Sequence, residues 1–142
     1  MRPSPTPGDS FPHRLCAAVN AHDVDRVVGC FTADYTNETP VHPARGFRGR
    51  EQVRRNWSQL FAAVPDLEAT VLRSDQVDDR VWSEWEMSGT RVDGQEHLMR
   101  GVTLFTLEHG LASSVRFYLE PVEVSATDVD RAVRQLLTGP RP

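Results

Sequence analysis

An α+β fold is predicted for this chain of 142 residues, with helices packed on one face of a curved antiparallel sheet. Apolar residues recur at helical spacing up to Val64, and from Leu67 onward they alternate with a period of two. Short connections join the alternating segments, as is typical of antiparallel hairpins. Helices that cover one face of such a sheet close it into a cone, whose apolar interior is a natural small-molecule pocket.

The predicted helices have apolar faces and recognisable ends. A first helix is expected over residues 13–20. Asp23 is placed to be the N-cap of a second helix that continues to Phe31. A third helix, over residues 53–64, has one continuous apolar face and ends at Pro65.

The remaining segments are read as strands, a loop and a last helix. A short strand over residues 34–37 leads into a loop over residues 39–49, which is rich in proline and glycine. Thr127 begins a capping box that opens the last helix. The four longer strands are predicted over residues 67–74, 80–88, 97–107 and 113–122.

The chain is divided into three parts on this basis. Residues 1–12 contain four prolines and no apolar core of a signal peptide, so a flexible tail is expected. Residues 13–124 form the cone-shaped domain, and residues 125–142 form a C-terminal helix and tail. Since no apolar run is long enough to cross a membrane, a cytoplasmic location is expected.

Composition excludes several kinds of function. The formal net charge is −4 and no basic stripe is present, so nucleic acid is not an expected partner. All 16 basic residues are arginine, which excludes a lysine Schiff base and a P-loop lysine. Cys16 and Cys30 have no further ligands at metal-binding spacing, so no metal is predicted. Buried free thiols are favoured over a disulfide or a nucleophile.

Tyr35 and Asn37 are the most informative pair in the chain. Residues two apart on a strand point to the same side. A hydroxyl and an amide are therefore expected to reach one cavity. Whether that cavity does chemistry or only holds a ligand is left open by the pair alone.

Several short motifs, taken in order, resemble the nuclear transport factor 2-like superfamily. The resemblance extends over residues 14–122. It points to the SnoaL-like small-molecule branch, which includes polyketide cyclases, limonene epoxide hydrolase and ketosteroid isomerase. It implies a hydrophobic small-molecule ligand, no cofactor and a homodimer through the outer sheet face. The motifs that carry it are Phe31-Thr-Ala-Asp34, Gly49-Arg50-Glu51, Gly89-Thr90 and Phe105-Thr-Leu-Glu-His-Gly110.

The catalytic residues of these known enzymes are not all present in this chain. Tyr35 and Asn37 match the tyrosine and asparagine that position water in limonene epoxide hydrolase. Its Asp–Arg–Asp set is replaced by residues that are neither acid nor base, namely Trp85, Met87 and Phe117.

The other two enzyme types also lack their central groups here. Thr39 and Thr103 stand where ketosteroid isomerase has its base and its oxyanion donor. A threonine hydroxyl donates a hydrogen bond but does not shuttle protons near neutral pH. Arg91 stands where cyclases of this type usually have a histidine after Gly-Thr.

Strand alternation predicts the wall of the pocket. Trp57 and Phe61 of the third helix are expected to close it and to contact a ligand. The inward-facing strand residues are expected to be Ser83, Trp85, Met87, Met99, Thr103, Phe105 and Phe117. A plain hydrophobic core accounts equally well for any one of them.

A shift of one residue would change the chemistry of the pocket. It would bring Trp82, Glu84 and Glu86 inside, with Arg100 and Arg116 close by. Two carboxylates in a dry cavity would be candidate acid–base groups. A solvated or dimer-facing surface is the favoured place for these glutamates.

His42 is a further candidate, because Pro40 and Pro43 hold it in a stiff, extended loop. It is a possible base or substrate hydrogen-bond partner, or an exposed loop residue. Glu38 and Arg45 flank it and are candidates for a surface ion pair.

The function predicted from these residues is a cofactor-independent cyclase, isomerase or hydratase. It would act on a polyketide- or terpenoid-like compound, with Tyr35, Asn37 and His42 as its polar groups. Catalysis would rest on positioning and hydrogen bonding more than on a strong base. The alternative is a non-catalytic binding protein for a hydrophobic ligand. A protein-interaction module is disfavoured because nothing marks a recognition surface.

Overall fold

One six-stranded sheet and four helices make up residues 10–138, which are the residues that the computed structural model describes. The helices are α1 (Phe11–Asn20), α2 (Val24–Val28), α3 (Arg50–Ala63) and α4 (Val129–Thr138). The strands are β1 (Phe31–Glu38), β2 (Phe47–Arg48), β3 (Glu68–Val77), β4 (Arg80–Thr90), β5 (Glu96–Glu108) and β6 (Leu111–Pro121). The predicted α+β class is confirmed.

The strand order is β2-β1-β6-β5-β4-β3. Strands β3 to β6 form the predicted antiparallel meander. Strand β1 pairs with β6 in parallel, with Asn37 opposite Val115. This pairing places β1 beside β6 in the sheet, and it brings the Tyr35–Asn37 pair next to the inward face of the meander.

Helix α1 begins at Phe11, two residues before its predicted start. Phe11 is buried, and its ring packs edge-on against Phe31 and Phe105, with centroids 6.5 and 4.8 Å away. Pro12 is tolerated because the first turn of a helix needs no donor from it. Phe11 and Pro12 therefore belong to the core and not to the predicted tail. Residues 1–9 of that tail lie outside the described part of the chain.

Asp23 caps α2 as predicted, since its carboxylate accepts a hydrogen bond of 3.1 Å from the Arg26 N–H. The prediction that this helix continues to Phe31 is wrong. It ends at Val28, with Gly29 as its C-cap, and Phe31 already belongs to β1. Pairing with β6 explains this early end, because the Cys30 carbonyl accepts from the Ala112 N–H at 2.9 Å.

The predicted loop over residues 39–49 contains more structure than expected. It includes a 3-10 turn at Pro43–Arg45 and the short strand β2. Strand β2 pairs with β1, with Phe47 opposite Asn37. Gly49 has a φ of 88°, which favours glycine, and it leads directly into α3.

The burial pattern of β4 decides which side chains face the helices. Ser83, Trp85 and Met87 are buried, as predicted. Glu84 and Glu86 are on the other face, where they pair with Arg73 at 3.1 Å and Arg100 at 2.8 Å. The alternative with both glutamates inside the cone is therefore excluded.

Helix α4 is present as predicted, but it is capped one residue later. The carboxylate of Asp128, rather than Thr127, accepts a hydrogen bond of 2.9 Å from the Arg131 N–H. The apolar side chains of this helix are exposed: Val129, Val133, Leu136 and Leu137. The end of the predicted C-terminal part, residues 139–142, lies outside the described residues.

Both cysteines are free and half-buried. The Cys16 thiol donates to the Ala69 carbonyl at 3.3 Å, and the Cys30 thiol to the Arg26 carbonyl at 3.4 Å. Burial raises the pKa of each thiol, so neither is an activated nucleophile. Among residues 10–138, no helix has the length and apolar character needed to cross a membrane.

Candidate functional site

A cavity of about 300 Å³ lies between the sheet and helices α1 and α3. Its wall is mostly apolar and aromatic. The polar residues in the wall, apart from the two tryptophans, are Tyr35, Asn37, Thr39, Arg45, Asn56 and Thr103. Among the described residues, no histidine, aspartate or glutamate lines it.

Most of the predicted ligand-contact residues lie in this wall. Those that line the cavity are Tyr35, Asn37, Thr39, Trp57, Trp85, Met87, Thr103 and Phe117. Three predicted residues do not line it: His42, Phe61 and Ser83.

The polar side chains of β1 and the residue after it form a directional chain, here called the β1 relay (Tyr35, Asn37 and Thr39). The Thr39 hydroxyl donates to the Asn37 side-chain oxygen at 3.0 Å. The Asn37 amide donates to the Tyr35 hydroxyl oxygen at 3.4 Å. Within residues 10–138, no group accepts the proton of the Tyr35 hydroxyl. That proton is therefore free to be donated to a ligand in the cavity.

Packing and backbone contacts hold Tyr35 in place. Its ring lies 4.5 Å from the Phe31 ring and 6.0 Å from the Phe47 ring, centroid to centroid. Its carbonyl accepts from the Gly49 N–H at 2.7 Å, which ties β1 to the start of α3. Arg50 adds a second tie through a 2.8 Å bond from its Nε to the Phe31 carbonyl. The Tyr35 side chain is therefore preorganised in the cavity wall.

Burial decides the protonation state of Tyr35. The side chain is 3% exposed. Burial raises the pKa of Tyr35 above its ordinary value because the phenolate would lose its hydration, and the weaker opposing effect is the hydrogen bond from Asn37. Tyr35 is thus a neutral donor at physiological pH and not a base.

A second group of polar side chains joins β4 and β5, here called the indole cluster (Ser83, Trp85 and Thr103). The Trp85 Nε1 donates to the Ser83 and Thr103 hydroxyl oxygens, both at 2.9 Å. The two hydroxyls share a hydrogen bond of 2.8 Å. Trp85 therefore has no donor left for a ligand and contributes its ring surface. Of the three residues, Trp85 and Thr103 line the cavity and Ser83 does not.

The predicted placement of His42 at the cavity is corrected. Its Nε2 lies 2.9 Å from the Glu120 carboxylate on β6. The parallel pairing of β1 with β6 brings this partner to His42 outside the cavity. The suggested pair of Glu38 with Arg45 is also absent, because Glu38 pairs with Arg116 at 2.8 Å.

The predicted roles of Phe61 and Ser83 are corrected in the same way. Phe61 stacks on His22, with centroids 4.7 Å apart, and packs against Trp57. Ser83 is fully buried beneath Trp85. Arg91, at the position of the cyclase histidine, pairs with Asp93 at 2.6 Å and does not line the cavity.

Sequence reasoning missed two polar residues of the wall, Arg45 and Asn56. Asn56 could have been found, because it follows Val53 by three residues and shares its helical face. No pattern in the loop marked Arg45.

The family model for the SnoaL-like domain matches residues 13–115. The chain belongs to the SnoaL-like domain family. This family match covers most of the cone-shaped domain, including β1 and the whole of β4 and β5. No curated protein matches the chain.

Solved structures with this SnoaL-like fold come from several bacteria. A Catenulispora acidiphila protein with a ketosteroid isomerase-like fold, in complex with trimethylamine, has a TM-score of 0.67 and 18% identity, covering 78% of this chain and 85% of that one. A Jannaschia protein provisionally named a SnoaL-like polyketide cyclase has a TM-score of 0.66 and 21% identity, covering 99% and 100%. At these identities the likeness shows the fold alone.

Proposed function

We propose that this SnoaL-like protein is a cofactor-independent enzyme that acts on a polyketide- or terpenoid-like carbonyl compound, with cyclisation as its favoured reaction. The observation that carries the proposal is the β1 relay, which ends in a buried hydroxyl proton that no described residue accepts. The likeness to a provisionally named polyketide cyclase agrees with this substrate class.

The cavity suits a small, flat and largely apolar molecule. Its volume of about 300 Å³ is at the lower end of the usual range for ligand sites, about 300–1,000 Å³. Trp57, Met87 and Phe117 supply apolar surface for such a body. A carbonyl oxygen placed at Tyr35 would accept its proton in a hydrogen bond, and beside the mostly apolar wall the bond is stronger than in water.

Cyclisation needs fewer catalytic groups from the protein than isomerisation or hydration. In a substrate that is already enolised, the enol carbon attacks a second carbonyl carbon, and negative charge develops on that carbonyl oxygen. The Tyr35 hydroxyl stabilises this charge as an oxyanion donor does. The proton lost by the enol ends on the new hydroxyl, so no protein base is consumed. Asn37 and Thr39 orient the Tyr35 oxygen, and the Thr103 hydroxyl belongs to the same cavity wall.

The predicted isomerase and hydratase activities are less well supported by the cavity. Each requires a group that removes a proton from carbon or from water. No carboxylate or imidazole lines the cavity within the described residues. The same observation favours a second candidate, a non-catalytic binding protein for a hydrophobic small molecule.

The outer face of the sheet is where we propose that two copies of this chain associate. It carries Trp82 and Leu104, which are opposite each other on β4 and β5, beside the charged pairs Glu84–Arg73 and Glu86–Arg100. Self-association there would leave the cavity on the opposite face free for ligand. We further propose a cytoplasmic location for the protein.

The test is turnover of enolisable 1,3-dicarbonyl compounds with two or three rings, with terpenoid ketones as a second panel. The Tyr35→Phe variant is expected to lower kcat about 100-fold, as for loss of one oxyanion donor. Tyr118→Phe removes the other tyrosine hydroxyl, which does not line the cavity, and is expected to leave kcat unchanged. Saturable binding without any turnover in the wild type would support the binding protein instead.

A further inference from the structure

We propose that the ligand carries a carboxylate or an equivalent anionic group, which Arg45 binds at the cavity. This inference rests on the proposed function, because it assumes that the apolar cavity holds the ligand. It adds the charge of the ligand, which neither the family match nor the β1 relay specifies.

Arg45 is one of the residues that line the cavity, and its side chain has no partner among the described residues. Its guanidinium makes no hydrogen bond and no ion pair within residues 10–138. Four other arginines on or next to the sheet pair with carboxylates: Arg73, Arg91, Arg100 and Arg116. Within residues 10–138, Arg48 and Arg80 also have no carboxylate partner, but neither of them lines this cavity. Arginine presents a planar set of donors that matches a carboxylate in a bidentate pair.

The loop that carries Arg45 is held by its backbone. The His42 N–H donates to the Thr39 carbonyl and the Arg45 N–H donates to the His42 carbonyl, both at 2.9 Å. Gly46 lies against β1 so closely that a Cβ there would be 3.1 Å from the Asn37 carbonyl oxygen. The base of the Arg45 side chain is therefore fixed next to the β1 relay. Little backbone entropy is lost when a ligand binds.

The charges around Arg45 favour an anion. No acidic side chain lines the cavity within the described part of the chain. The two carboxylates that flank the loop are already paired, Glu38 with Arg116 at 2.8 Å and Glu120 with His42 at 2.9 Å. Asn56 in the wall adds an amide donor. A cationic ligand would meet the unpaired guanidinium without a carboxylate to balance it.

The ligand class that follows is a flat keto acid or a related amphipathic anion. Its apolar body lies in the cavity, its carbonyl oxygen accepts from Tyr35, and its carboxylate pairs with Arg45. Because Arg45 is exposed, solvent weakens the pair. Its expected contribution is selectivity between charged and neutral ligands more than overall affinity.

The experiment compares three probes that share one aromatic body: 2-naphthylacetic acid, its methyl ester and 2-(2-naphthyl)ethylamine. Calorimetric titration gives the Kd of each for the wild type, Arg45→Gln and Arg48→Gln. Arg48 is a matched control, since it is exposed, lies on β2 and does not line the cavity. In the wild type the acid is expected to bind about tenfold more tightly than the ester, and the amine most weakly.

Arg45→Gln is expected to remove this preference and leave the affinity for the ester unchanged, whereas Arg48→Gln keeps the preference. Equal binding of acid and ester by the wild type would overturn the inference and leave the proposed function standing. A preference for the acid over the ester that persists in Arg45→Gln would overturn the inference in the same way. Failure of all three probes to bind would overturn the proposed cavity ligand and the inference together.

Discussion

The β1 relay and the indole cluster are both buried groups of polar side chains in the same wall, but their hydrogen bonds run differently. In the β1 relay each group donates to the next, and the last proton has no acceptor among the described residues. In the indole cluster the Trp85 Nε1 donates to two hydroxyls that also bond to each other. Tyr35, the last member of the relay, lines the cavity, whereas the cluster bonds mainly to itself.

This difference separates a ligand-binding role from a structural one. A buried polar group that is satisfied within the protein stabilises the fold and specifies its packing. A buried donor without a protein acceptor is costly unless a ligand or water accepts from it. Tyr35 is therefore expected to matter most for the ligand, and Trp85 most for stability.

The largest expected effect is on stability, at the indole cluster. Trp85→Ala removes a side chain that is 1% exposed and leaves the Ser83 and Thr103 hydroxyls without the indole donor. The free energy of unfolding is expected to fall by about 3–5 kcal/mol, measured by urea denaturation.

Trp82→Ala is the matched control, because Trp82 is the neighbouring tryptophan of β4 on the outer face and is only half-buried. Trp82→Ala is expected to lower the free energy of unfolding by less than half as much as Trp85→Ala. Equal losses in the two variants would show that the indole cluster has no special part in stability.

A smaller effect is expected from pH, at the β1 relay. The folded-state pKa of Tyr35 lies above its ordinary value of 10.0 because of burial. The folded protein therefore keeps this proton when the unfolded chain loses it. The associated stability is fully present below pH 10 and is lost as pH rises above it.

At one pH unit above the ordinary tyrosine pKa, the free energy of unfolding is expected to have fallen by about 1.4 kcal/mol because of Tyr35 alone. Tyr35→Phe removes this effect. The free energy of unfolding of the wild type minus that of the variant therefore separates the contribution of Tyr35 from those of Tyr118 and the cysteines. Urea denaturation between about pH 9 and pH 11 gives the difference. A difference that does not change with pH would mean that Tyr35 ionises as freely as an exposed tyrosine.

The sequence could predict the meander and its inward residues because both depend on local alternation. Ser83, Trp85 and Met87 alternate with charged or amphipathic neighbours, so their burial follows from period two. Tyr35 and Asn37 were found in the same way. These predictions needed no knowledge of which strands pair over long distances.

The remaining features depend on such long-range pairing. His42 lies at Glu120 because β1 joins β6 in parallel, and no local pattern predicts that contact. Phe11 is in the core because Phe31 and Phe105 meet it there. Arg45 is identified by its place in the cavity wall and by the absence of a side-chain partner among the described residues, and a sequence shows neither.

The central claim is that the Tyr35 hydroxyl proton is donated to a ligand oxygen. A double-mutant cycle tests it directly. The Kd is measured for an aromatic ketone and for its methylene analogue, each with the wild type and with Tyr35→Phe. A coupling free energy of about 1 kcal/mol or more between hydroxyl and carbonyl is expected from the Kd values. No coupling, with the ketone and its analogue losing affinity equally in Tyr35→Phe, would contradict the claim.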